Sequence, residues 1–402
     1  MRNSNKNFLF LIRAFNDLDH FAPIMLSALN TGCGVTFIFT GDWDGNHYLT
    51  SFLKEKGAKE LRLRWLGRYH FLFRPKINGK ILLRLMDVIW GFIPLSLLFI
   101  FIRPSSVVVE WGGISGKEMA RYFLVSARVL GARIVSLPHG YHIWKTRLIN
   151  ELMVSLGENH RKFDFTERNQ FTAVVAQSEN IKQFFLNRKI QENKLKVLGS
   201  ARFCEDWAAF NLKLALDAFP GDVIPSSKSL ILIFLGNWEY RVDKLTCFEM
   251  IQELATIPDI NILIKGHSRG DEVGGLVSSE REEWLSEVVH YDSDNIPSNV
   301  LIHHADVVIN YGSSIGIEAV VQRKPLCNPS FVTENQTIFD GSGVTFDAQS
   351  IAELVEFVTN MLSNSKITTM TEDSRDLFLK ENVYAGRDEM SVSKAYLDLI
   401  SS

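Results

Sequence analysis

The residues of this chain that could do chemistry sit where short apolar runs end. The run 107–109 ends in Glu110-Trp111-Gly112-Gly113, and the run 134–137 ends in Pro138-His139-Gly140-Tyr141-His142, with Trp144-Lys145 just beyond. A carboxylate beside glycines can be approached closely by a substrate and can act as base or nucleophile. An imidazole held before a glycine can act as acid, base or phosphate donor. Each also has a plainer use, an ion pair or cap for Glu110 and a structural contact for His139. His142 is the weaker histidine, and Lys145 could neutralise a phosphate. Further on, Leu198-Gly199-Ser200-Ala201-Arg202-Phe203 offers Arg202, whose planar fork suits a carboxylate or phosphate and equally an ion pair.

The second half has the same habit with different chemistry. The run 231–235 ends in Gly236-Asn237, and the run 260–264 ends in Lys265-Gly266-His267-Ser268-Arg269. Three donors within five residues suit an anion. The run 307–309 breaks into Asn310-Tyr311-Gly312-Ser313-Ser314 and then a helix carrying Glu318. Small residues at a helix start present N–H groups and hydroxyls to a phosphate. Glu318 is then placed to meet a ribose, and Asn237 to meet the same donor. A plain helix cap by Ser313 or Ser314 is the competing use.

Those residues need a scaffold that brings strand ends together. Apolar runs 8–12, 35–40, 107–109, 134–137 and 173–176 fall in the first half; 230–235, 260–264, 300–302, 307–309 and 325–328 fall in the second. Helical stretches such as 21–30 and 116–130 lie between them, the rhythm of parallel βαβ units. The fold expected is α/β, two doubly wound Rossmann-like domains facing across a cleft. Loop chemistry near 218–229 sets the boundaries: an acceptor-binding domain 1–218, a donor-binding domain 219–375, and a helical tail 376–402 that could return to the first domain. The tail's expected apolar side is Val392, Tyr396 and Leu399.

Length and composition agree with that reading. The chain has 402 residues, 46% hydrophobic and 22% charged, with a net charge of −3 that gives no case for nucleic-acid binding. Four scattered cysteines exclude a CxxC metal site or disulfide frame and point to a reducing, cytoplasmic compartment. GxGxxG after the first strand, a P-loop and a GxSxG elbow are all missing. Asp42-Trp43-Asp44 lies in the acceptor half and Asp292-Ser293-Asp294 in a plain loop, so no metal and no cofactor are expected.

One segment points to a surface. Residues 61–84 carry seven basic side chains, among them Arg64, Arg68, Arg74 and Lys76, no acid, and interleaved Trp65, Tyr69, Phe71 and Phe73. The apolar run 88–102 follows and, at fifteen residues, is shorter than the ~20 a spanning helix needs. A buried core helix or peripheral contact with the cytoplasmic face of an inner membrane accounts for both.

The ordered pieces Pro138-His139-Gly140, Leu198 to Phe203, Ile264-Lys265-Gly266-His267, Ala305-Asp306 to Ser313-Ser314 and Lys324-Pro325 resemble bacterial GT-B-fold transferases of surface polysaccharides. The likeness extends to the CDP-glycerol glycerophosphotransferase branch and to Kdo and other ulosonic-acid transferases, over roughly residues 105–330. It implies a metal-independent glycosyltransferase of capsule or O-antigen type glycans, with a nucleotide-sugar donor and a glycan or lipid-linked glycan acceptor. It further implies that Lys265, His267, Ser313 and Ser314 hold the donor phosphate, and that His139 is an acid/base or donor-contact residue. Either Glu110 or His139 then activates the acceptor, or Glu110 is a nucleophile. Ser268 stands where the related pattern has proline, and Asn310-Tyr311-Gly312 replaces the Thr-Asp-Tyr of the glycerophosphotransferases. The first donor expected is a CMP-activated ulosonic acid, its carboxylate met by Arg202 or Arg269. A CDP-glycerol or ribitol phosphotransferase, or a UDP-sugar epimerase or transferase of the same fold, is the alternative.

Overall fold

The computed structural model describes residues 6–41, 43, 45–110, 119–145, 164–219, 228–266, 285–291, 296–363 and 369–402. They form two compact units. The first comprises Met1–Tyr141, Phe163–Cys204 and Asn382–Ser402, and the second His142–Lys162 and Glu205–Glu381.

The first unit is built on seven strands: β1 (Asn7–Ile12), β2 (Gly34–Phe39), β3 (Lys59–Leu61), β4 (Ser106–Glu110), β5 (Arg133–Leu137), β6 (Ala173–Ala176) and β7 (Leu195–Val197). Their order is β3-β2-β1-β4-β5-β6-β7. Every pairing is parallel, with Phe10 opposite Phe37 and Val108 opposite Val135. The reason lies in β1, where Phe8, Leu9, Phe10, Leu11 and Ile12 are all buried. A strand apolar on both faces fits only a sheet covered on both sides.

The second unit repeats the plan with β8 (Ser229–Phe234), β9 (Ile260–Lys265), β10 (Val289–Tyr291), β11 (Val307–Asn310), β12 (Leu326–Pro329) and β13 (Phe346–Ala348). These lie in the order β10-β9-β8-β11-β12-β13, again all parallel. Ile231 and Ile233 of β8 join Ile262, Ile264, Val307 and Ile309 in a core closed by Met250, Leu254, Leu354 and Val358. In each sheet the order reverses once, between β1 and β4 and between β8 and β11. Ligands of such sheets bind beyond the carboxyl ends at that reversal.

Several expectations change. The run 300–302 is no strand but the buried side of the helix Ser298–His304, since three apolar residues do not define a period. The chain enters the second unit at Glu205, ahead of the expected break after 218. The helix Glu205–Ala218 buries Trp207, Ala208, Asn211 and Ala215, and Glu205 pairs with the buried Arg375 of the same unit. The closing helix, Glu389–Ser401, buries Val392, Tyr396 and Ile400 rather than Leu399. It belongs to the first unit, where the Tyr396 hydroxyl donates to the Gly199 carbonyl at 2.7 Å. Gly199 has φ +88, and a Cβ there would stand 2.5 Å from the Val383 carbonyl, so no larger residue fits this approach. Finally, the apolar run 88–102 is part of a continuous helical stretch Lys80–Ile102, 23 residues, long and apolar enough to cross a membrane.

Candidate active site

At the reversal point of the first sheet, three chain segments deliver three proton-carrying groups. Glu110 is the last residue of β4, and His139 follows β5 by two residues. Asp17 stands in the first turn of the helix Phe15–Asn30, which follows β1. One ligand-type atom from each lies within 4.8 Å of the others. His139 Nδ1 is 3.6 Å from Asp17 Oδ1 and 4.0 Å from Glu110 Oε2.

The local fold explains Asp17. Its carboxylate Oδ2 accepts from the backbone N–H groups of Arg13 (2.7 Å) and Ala14 (3.2 Å), as an acid near a helix start can. The other oxygen, Oδ1, is buried with no hydrogen-bond partner among the described residues. Burial first, and then the negative Glu110, push the Asp17 carboxyl up to about 7, against the pull of those N–H groups and Arg13. Asp17 therefore takes up and gives back a proton near neutral pH. Glu110 has a cation beside it, with Arg13 Nη1 at 3.1 Å. The Arg168 guanidinium also feels Glu110, although burial, the larger cause, lowers it to about 10. Both carboxylates are buried, whereas the His139 side chain is 18% exposed, so an incoming group meets the imidazole first.

Arg202 is held by an ion pair. It lies in the first unit, buried, with Nε bonded to the Asp19 carboxylate and its guanidinium 4.2 Å from the Phe203 ring. The ion-pair use is the one realised. Next to it, His20 is driven down to about 3 by burial, the largest cause, and stays neutral.

In the second unit, the β8 and β11 ends come together through a glycine. A Cβ on Gly236 would stand 2.8 Å from the Tyr311 carbonyl, so glycine lets the buried Asn237 sit beside the Tyr311-Gly312 turn. Gly312 adopts φ +71. Ser313 and Ser314 follow, half-buried, before the helix Gly316–Val321. Asn310 Nδ2 braces the turn by donating to the Ser313 carbonyl at 3.0 Å, and the Ser313 hydroxyl accepts from Ile315 N at 3.4 Å. Glu318 is buried and accepts from Gln322 Nε2 at 3.2 Å. Lys265 Nζ donates to the Ile296 carbonyl at 2.6 Å. Lys145 is also in this unit, its Nζ donating to the Asp340 carbonyl at 2.9 Å. His267, Ser268 and Arg269 lie outside the described residues, as do the glycines after Glu110 and the Asp42, Asp44, Asp292 and Asp294 carboxylates.

The sequence singled out Glu110 and His139 and gave no prominence to Asp17, which the fold places beside them. The available signal was an acid, Asp17, in the first helical turn after the central strand, with a second, Asp19, two residues on. The four cysteines are free and buried.

No protein-family model matches the chain, and no curated protein sequence is similar to it. Solved structures are similar in fold. The UDP-GlcNAc 2-epimerase of Neisseria meningitidis bound to UDP-GlcNAc superposes with a TM-score of 0.59 at 16% identity, over 98% of this chain and 99% of that one. HepE of Anabaena, in complex with UDP and glucose, gives 0.56 at 13% identity over 98% and 99%. The wall teichoic acid polymerase TagF gives 0.56 at 11% identity over 98% of this chain and 88% of the other. At such identities the likeness is one of fold, and the chain has the α/β architecture of GT-B proteins, two doubly wound parallel-sheet units.

Proposed function

We propose that the protein is a glycosyltransferase that moves a sugar from a nucleotide donor to a surface glycan, without a metal ion. The observation that carries this reading is the cluster of Asp17, Glu110 and His139 at the carboxyl ends of neighbouring strands. An acceptor hydroxyl would reach His139, give its proton to the imidazole, and attack the anomeric carbon of the donor. The bond from that carbon to the phosphate oxygen breaks, and the nucleotide leaves with the electron pair. Asp17 and Glu110 would stabilise the imidazolium, as carboxylates beneath a catalytic histidine do. A single displacement of this kind inverts the anomeric configuration.

The second unit would hold the nucleotide, with Ser313 and Ser314 on its phosphates and Lys265 offsetting the leaving charge. UDP and UDP-GlcNAc in similar structures support a uridine donor. The CMP-ulosonic acid expectation gave the sugar's carboxylate to Arg202 or Arg269; Arg202 pairs with Asp19, and Arg269 lies outside the described residues. On the strength of those uridine ligands, a UDP-sugar is the donor proposed ahead of a CMP-linked acid. The same three side chains could supply three atoms to a divalent ion. Arg13 against Glu110 and the raised Asp17 favour proton chemistry instead.

A second reading has its own observation. Three proton-handling groups in one cluster exceed what a simple transfer needs, and a UDP-sugar epimerase must both remove and return a proton. Both readings are tested together by a thermal-shift panel of UDP, UMP, CDP and CMP followed by product analysis. UDP at about 100 times its dissociation constant should stabilise by about 2.7 kcal/mol. UDP release only when a lipid-extracted glycan is added identifies the transferase. Conversion of a free UDP-sugar to its epimer identifies the epimerase. No stabilisation by any nucleotide at millimolar concentration sinks both.

A further inference from the structure

Between β3 and β4 the chain leaves the sheet for a helical excursion whose outer side is apolar. Ile81, Leu85, Ile89, Ile93, Leu97 and Phe101 recur every four residues, and all six are exposed, Ile81 by 86% and Phe101 by 92%. Leu72 and Phe73, in the turn before it, are exposed as well. The inner side is fastened. Asp87 is buried and accepts from the Tyr69 hydroxyl at 2.7 Å, the Tyr122 hydroxyl at 2.8 Å, Arg74 Nε at 3.1 Å and Arg121 Nη2 at 2.5 Å. Leu95 and Phe99 are buried, and a Cβ on Gly91 would stand 2.5 Å from the Tyr122 ring. Arg74, expected at the surface, is thus a clasp. Arg62 is exposed and pairs with Glu60; the other cations, Arg64, Arg68, Lys76, Lys80, Arg84 and Arg103, are exposed, and Asp87 is the one acid between residues 61 and 103.

We infer that this face docks on a lipid bilayer carrying anionic headgroups, lying in the interface rather than crossing it. Apolar side chains rimmed by lysine and arginine meet the acyl boundary and the phosphate layer respectively. A second copy of the chain would bring six cations against six, so charge selects the anionic membrane. Length alone would allow a span, because 23 residues of helix reach about 34 Å. Geometry argues for lying flat: Asp87 ties the middle of the stretch to the first unit, and residues 103–105 return its end directly to β4. The surface stands independently of the enzymatic reading.

The test uses the full chain and vesicles of phosphatidylcholine with about one-third phosphatidylglycerol, against phosphatidylcholine alone. The protein should sediment with the anionic vesicles and be released by alkaline carbonate. Each exposed aliphatic side chain moved out of water contributes about tenfold in partitioning. I89S with L97S should therefore weaken binding about a hundredfold, with an unchanged melting temperature because both residues are exposed. R64S with K76S should weaken binding about thirtyfold on anionic vesicles, at about 1 kcal/mol for each cation, and leave neutral ones unaffected. The inference is overturned if the wild type stays in the supernatant, or if I89S/L97S binds as well as wild type. Retention after carbonate means the helix spans. A dimer dissolved by I89S/L97S without vesicle binding gives the face to a second copy.

Discussion

Replacing Asp17 by asparagine should make the protein more stable and less active. The asparagine Oδ1 keeps the acceptor used by the Arg13 and Ala14 N–H groups, and its amide faces Glu110 and His139. It mimics the protonated acid. The carboxyl titrates near 3.8 when unfolded and at about 7 when folded, chiefly through burial. At about 1.4 kcal/mol for each pH unit, ionising it in the folded state costs on the order of 4 kcal/mol. The direction follows from proton counts. Between those two values the folded chain holds a proton that the unfolded chain has lost, so wild-type stability falls as pH rises through that window and levels off above it. D17N lacks that fall. Its melting temperature should match wild type near pH 4 and exceed it at pH 8 by on the order of 10 °C, taking roughly 2–4 °C per kcal/mol. Turnover should drop by about 10²–10⁴. Scanning calorimetry across pH, with the activity assay alongside, reads both. An offset that is the same at both pH values, or a less stable variant at pH 8, would refute the buried-acid argument.

The other predictions concern the supports of each unit. His20 is held neutral, titrating at about 3 when folded against 6.5 when unfolded, so its stabilisation is complete above 6.5 and is lost as pH falls toward 3. His20→Gln should flatten the acid side of the melting curve in that window, and an unchanged slope would count against it. Asp87→Ala removes an acceptor shared by two arginines and two tyrosines and should cost about 3–5 kcal/mol by urea unfolding. In the second unit, Gly316→Ala would put a Cβ 2.6 Å from Asn310 Nδ2 and 2.8 Å from the Phe339 ring. It should cost roughly 1–3 kcal/mol and weaken UDP binding by calorimetry. Gly67→Ala, with nothing within 4 Å, should be neutral or slightly stabilising. Chelation with EDTA should leave turnover unchanged.

The central strands were legible because burial on both faces leaves no polar position to disguise them, as in Phe8 to Ile12. Their ends exposed Glu110 and His139 for the same reason. What local pattern could not reveal was neighbourhood. Asp17 reads as an ordinary acid in a first helical turn until the sheet order puts β1 beside β4, and with it Asp17 beside Glu110. Arg202 reads equally as a ligand-binding fork or an ion pair, and its partner, Asp19, 183 residues away, is visible only in the fold. The run 300–302 carried burial without period, and Tyr69, Arg74, Asp87 and Tyr122 became one clasp only when two helical segments packed together. The basic and apolar character of 61–103 was visible in composition, whereas the division between fastened and exposed sides needed the fold.

Turnover of a nucleotide sugar by this cluster would require a proton to pass through His139. Its most direct measurement is phosphorus NMR of UDP-sugars incubated with wild type and H139Q plus a lipid-extracted glycan acceptor, with UDP affinity measured separately. Wild type should convert the sugar-diphosphate signals to free UDP, while H139Q should bind UDP equally well and form it about 10²–10⁴ times more slowly. Equal rates in the two proteins, or no consumption of any UDP-sugar by wild type, would contradict it.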